Sequence, residues 1–198
     1  MSFPDTKPSL LVKVRDSSDR ESWQKFLEIY EPVVYRTAIA RGLQHSDAQD
    51  LTQQVFLSVA NAIGDWDHTK GAGKFRHWLS RVTRNAILNA LMRRPSESVR
   101  GGTSAALDLQ SIASGEKGIT TLIDMEYRRE IFQLAASQVQ GEFHAATWHA
   151  FQRTVVEGAS VEAVAAELGK SLGAVYTARS RVMLRLREVV SVLEGQDR

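Results

Sequence analysis

The chain has 198 residues, 43% of them apolar, and 25 Lys and Arg against 23 Asp and Glu leave a formal charge of +2. That is enough apolar material for packed cores in one or two domains, and it excludes disorder throughout. No cysteine is present, which excludes disulfides, thiolate zinc sites and a cysteine nucleophile.

The first twenty residues lack the apolar core of a signal peptide, and no run of eighteen apolar residues occurs. A soluble, cytoplasmic protein without membrane insertion is expected. Nearly every periodic segment has helical spacing, so the fold class is all-α. A first helix is predicted over 22–41, where Trp23, Phe26, Leu27, Tyr30, Val33 or Val34, and Ile39 recur mostly at intervals of three and four, with Pro32 expected to split or kink it. Gly42 ends the run. Ser46 is the expected N-cap of a second helix over 47–63, whose stripe is Ala48, Leu51, Val55, Ser58 or Val59, and Ala62. Asp47 and Asp50 fall in its first turn, where the helix dipole favours carboxylates.

A third helix starts near Lys74 and stops before Pro95, with an apolar stripe of Leu79, Val82, Ala86, Ile87 and Leu91. From Lys74 to Arg94 it carries six cations and no acid, together with an exposed-looking aromatic pair, Phe75 and Trp78. Cations bind phosphates and flat rings stack on unpaired bases, so this helix reads as a nucleic-acid surface. Residues 1–94 then form a first domain. Residues 95–120, rich in Ser, Gly and Ala and without an aromatic, read as a flexible linker that reaches about 25–30 Å as a random chain. A second helical domain, 121–198, is expected to begin with helices over 122–139 and 142–156, and Phe132, Leu134, Phe143, Trp148, Phe151 and Val155 supply its core.

The segment from Ser160 to Val190 has helix-turn-helix spacing. Ser160 caps a short helix with Val161, Val164, Ala165 and Leu168 on its apolar side, Gly169 makes the corner, and Ser171 caps the next helix. Leu172, Val175 and Val182 are expected to anchor that second helix inward. Its outward positions are then Ser171, Gly173, Ala174, Tyr176, Thr177, Ser180 and Arg181, with Lys170, Arg179 and Arg185 near phosphates. Five cations and no acid lie between Lys170 and Arg187, which a hairpin used only for packing does not require.

A basic aromatic helix followed by a helix-turn-helix resembles the extracytoplasmic-function sigma factors of bacterial RNA polymerase. The resemblance runs from about Trp23 to Val190 and is carried by YEPVVYRTAIARGLQHSDAQDLTQQVFLSV, GKFRHWLSRVTRNAILNALMRR and EGASVEAVAAELGKSLGAVYTARSRVMLRLRE. It implies that the second helix docks on core RNA polymerase through Asp47, Asp50, Leu51, Gln53, Gln54, Val55 and Phe56, although Leu51 and Val55 fit a core better than a contact. It implies that the third helix recognises and melts the promoter minus-ten region with Phe75, Arg76, Trp78, Arg81, Arg84, Asn85 and Asn89, and holds the backbone with Lys74, Arg93 and Arg94. Trp78 fits buried support as well as a base contact. The C-terminal motif would read the minus-thirty-five element of promoter DNA, and regulation would come from a separate anti-sigma protein. Where Gln54 stands, the family commonly has an acid, which alters one expected polar contact.

A helix-turn-helix regulator that binds duplex DNA without polymerase is the alternative reading, but no heptad or large apolar face offers it a dimer surface. An enzyme is not expected, because no nucleophile has a base beside it. His144 and His149 are five residues apart, Asp65 and Asp67 lack a third ligand, and neither a metal nor any cofactor is expected.

Overall fold

The computed structural model describes residues 8–65, 75–93 and 116–195. All the regular structure among them is helical. The chain divides into two compact units, Met1–Glu130 and Ile131–Arg198.

The first unit opens with α1 (Pro8–Lys13), absent from the sequence reading, whose Leu11 and the following Val14 are buried. Next comes α2 (Arg20–Ala40), capped by Asp19, whose carboxylate accepts from the Ser22 N–H at 3.0 Å. That bond holds the Asp19 carboxyl below its ordinary range. The helix runs without interruption through Pro32, contrary to the expected split. It ends in a Schellman turn: Gly42 takes φ +85°, its N–H donates to the Ile39 carbonyl, and the Leu43 N–H donates to that of Ala38.

Helix α3 (His45–Ala62) is capped by Gln44 without a side-chain bond, so Ser46 is not the N-cap but lies inside the first turn. It buries Ala48, Leu51, Thr52, Val55 and Val59. Helix α4 (Phe75–Arg93) buries Phe75, Arg76, Leu79, Ser80, Thr83 and Ile87. Phe26 is the hub of the core, with the rings of Trp23, Tyr30, Phe56 and Phe75 at 4.9–6.0 Å from its own.

Helix α5 (Glu116–Gln140) starts inside the expected linker, and the division between the units falls within it. Ile119, Ile123 and Tyr127 are buried in the first unit; four-residue spacing continues into the second as Ile131, Ala135 and Val139. The rest of the second unit is α6 (Ala145–Phe151), a π-helical turn (Gln152–Val156), α7 (Val161–Leu168) and α8 (Leu172–Glu194). One apolar cluster joins Ala135, Val139, Phe151, Val182, Leu186 and Val189, and a second joins Ala150, Val161, Val164, Ala165 and Val175. Phe132, expected in this core, is 37% exposed.

Candidate nucleic-acid and protein-docking surfaces

The helix-turn-helix corner has the expected chemistry. Ser160 accepts from the Ala163 N–H and Ser171 from the Ala174 N–H, both at 3.2 Å, while Gly169 sits at φ +59° and Lys170 N–H donates to the Ala165 carbonyl. Val175 and Val182 are buried, but Leu172 is 46% exposed and is not an anchor. The first residue of α8 projects beyond the packing line that Val175 and Val182 define.

The outward side of α8 leaves Ser171, Gly173, Ala174, Tyr176, Thr177, Arg179, Ser180 and Arg181 exposed, with Lys170 exposed in the turn. Thr177 spends its hydroxyl on the Gly173 carbonyl at 2.8 Å. Lys170, Arg179 and Arg181 make no ion pair with another described residue. Arg185 differs from its expected role near phosphate: it binds both oxygens of Glu142 at 2.6 and 2.9 Å and also Glu188 at 3.0 Å. The hydrogen bonds its guanidinium donates to Glu142, and then to Glu188, hold it well above its ordinary pKa.

On α4, His77, Arg81, Asn85, Asn89 and Arg93 are exposed at four-residue intervals and form one outward stripe, with Arg84 half-buried at its margin. Phe75 corrects the expectation of an exposed aromatic pair. It has no exposed surface and lies edge-on to Phe26 and Tyr30 at 5.6 and 5.3 Å. Trp78 is half-buried against Phe75. Arg76 is likewise not on the surface, being 4% exposed; its Nε donates to Asp124 at 2.7 Å and its guanidinium lies 4.4 Å from the centre of the Tyr127 ring. Burial works against its charge, but the Asp124 bond and the Tyr30 and Tyr127 phenols outweigh that and hold its pKa above the ordinary value. Lys74 and Arg94 lie outside the described residues.

On α3, Asp50, Gln53 and Gln54 are exposed and Asp47 and Phe56 half-buried, whereas Leu51 is 2% exposed and belongs to the core. Val55 is core too. The sequence reading missed the groove beside them. Trp23, Leu27, Glu31, Thr52, Gln53, Phe56 and Leu57 line an apolar depression of about 440 Å³ between α2 and α3, and Leu57 is 65% exposed at its rim. A neighbouring hollow of about 500 Å³ is more polar and includes Glu31, Asp50 and a Tyr35–His45 hydrogen bond of 2.6 Å. Leu57 could have been found, because it lies off the stripe set by Val55 and Val59 and so turns a leucine outward.

Among the described residues no group of acids and histidines is placed to hold a metal ion, and no helix is long and apolar enough to cross a membrane. Residues 26–96 match the family described as sigma-70 region 2. Over 176 residues, 89% of its length, the chain is 26% identical to the ECF RNA polymerase sigma factor SigE of Mycolicibacterium smegmatis, and the match spans 64% of that relative. Most of α2 and all of α3 and α4 lie inside the matched region, and over most of its length the chain is similar to this ECF sigma factor.

Proposed function

We propose that the chain binds core RNA polymerase, directs it to two promoter elements and assists strand opening, with no chemistry of its own. The observation that carries this reading is the build of residues 26–96. They match sigma-70 region 2 and put an outward stripe of His77, Arg81, Asn85, Asn89 and Arg93 on one helix and an apolar groove with a polar margin on the two before it. Cations and amides on a helix face address phosphates and base edges. A groove of this mixed character suits a protein partner.

The work divides between three surfaces. Asp47, Asp50, Gln53, Gln54 and Phe56, with Leu57 and Trp23, take the polymerase. Arg81, Arg84, Asn85, Asn89 and Arg93 engage the minus-ten region, where Trp78 supports the helix from its half-buried position. Lys170, Ser171, Gly173, Ala174, Tyr176, Thr177, Arg179, Ser180 and Arg181 face the minus-thirty-five element. The two functional domains follow the units that divide between Glu130 and Ile131, and a separate anti-sigma protein regulates them in the cytoplasm.

Leu57→Asp tests the docking surface. The side chain is mostly exposed, so the thermal midpoint should hold. A charge set into a desolvated apolar contact should weaken co-elution with core polymerase by about tenfold or more. Unchanged co-elution would remove this groove from the interface.

A further inference from the structure

The side of α2 and α4 that receives residues 118–130 is more polar than a static core requires. Arg36, Arg76 and Ser80 stand on one side of the contact, and Thr120, Asp124, Glu126 and Glu130 on the other. Arg36 donates to Glu126 at 2.5 Å and to Glu130 at 2.7 Å, and the hydroxyls of Ser80 and Thr120 are 2.9 Å apart. Burial opposes the Arg36 charge, yet the two carboxylates keep its pKa raised. For stability alone, an apolar side chain would serve as well as a buried guanidinium or better.

These carboxylates hold the guanidiniums as phosphate oxygens would. The position on α4 points the same way. At about 100° per residue, Arg84 lies roughly 80° around the helix from Arg76, between the covered side and the exposed Arg81, Asn85 and Asn89. Arg76 therefore continues the basic face of α4 inward, beneath the N-terminal half of α5. Arg128 and Arg129 of that half are exposed, with Arg129 3.9 Å from Glu126, and the groups bonded to Arg36 and Arg76 are the acids Asp124, Glu126 and Glu130.

We propose that Arg36 and Arg76 form a binding site for nucleic-acid phosphates that residues 118–130 fill in this conformation, making this half of α5 a built-in competitor of DNA on the first unit. The inference rests on α4 being the DNA-contacting helix. Lifting the segment adds two cations to the face, so DNA binding by the released form should have a log–log salt slope steeper by about 1.8.

The absence of cysteine makes a reversible test clean. Ser80→Cys with Thr120→Cys places a single disulfide across the contact, and the full chain is titrated against a fluorescent DNA duplex containing an unpaired bubble. The reduced protein should bind about tenfold or more tightly than the oxidised one and show the steeper slope. Glu126→Gln with Glu130→Gln, which frees Arg36 and leaves the Arg76–Asp124 pair, should bind more tightly than wild type. Equal binding by the oxidised and reduced forms, or no gain in the neutralised variant, overturns the proposal. Arg81→Ala on the cysteine-pair background separates the two claims. A loss from Arg81→Ala without redox dependence overturns the filled site alone, whereas no loss in either redox state contradicts the reading of α4 itself.

Discussion

Phe75→Ala is expected to unfold the first unit rather than to remove a single DNA contact. The ring has no exposed surface and meets Phe26, Tyr30 and Trp78 at 5.3–5.6 Å, so its removal leaves a cavity at the crossing of α2 and α4. Truncating a buried phenylalanine costs about 3–5 kcal/mol, a large part of the roughly 5–15 kcal/mol that holds a domain together. The melting transition of the first unit, followed by circular dichroism, should fall by roughly 15 to 30 °C. Polymerase binding should fail with it. A variant that keeps the wild-type transition and loses only promoter opening would put Phe75 at the DNA after all.

Neutralising Lys170, Arg179 and Arg181 together should have the opposite character, with full folding and a large loss of duplex recognition. All three are exposed and carry no ion pair among the described residues, so little native contact is lost. If each meets a phosphate, the log–log salt slope should fall by about 2.7, and if Arg181 instead reads a guanine, that contact adds about 1–3 kcal/mol of base discrimination. The check is a salt titration on duplex DNA beside transcription from a pre-opened template. Duplex binding should drop steeply while the pre-opened template is still used. An equal loss on both templates would count against assigning this face to the upstream element.

Local grammar was readable in the sequence and long-range packing was not. Ser160, Gly169 and Ser171 act through backbone bonds within a few residues, and each does in the structure what its position suggests. The stripe of α3 follows from periodicity in the same way, whereas on α4 only Leu79 and Ile87 of the expected stripe are buried, Val82, Ala86 and Leu91 are half-buried, and Ser80 and Thr83 take covered positions. Ser46 misled because a serine near a helix start signals a cap only when the chain enters the helix there, and entry occurs at Gln44. Phe75 and Arg76 misled for a different reason. A first-turn residue is exposed on its own helix, and packing against residues distant in sequence, Phe26 and Tyr30 for Phe75 and Asp124 and Tyr127 for Arg76, covers these two. The acids that claim Arg76 and Arg36 lie 48 to 94 residues downstream. The start of α5 was obscured by the Ser, Gly and Ala content before it, although Ile119, Ile123 and Tyr127 already carried the helical spacing. Arg185 was assigned by its charge and its face, while Glu142, from the turn before α6, decides its partner.

Mapping the 5′ ends of transcripts made by core RNA polymerase on genomic DNA, with and without this chain, tests the central claim most directly. The account predicts a small set of new start sites, each preceded by the same two sequence elements and dependent on the chain. Start sites identical to those of core polymerase alone, together with tight binding of the free chain to palindromic duplex, would contradict it.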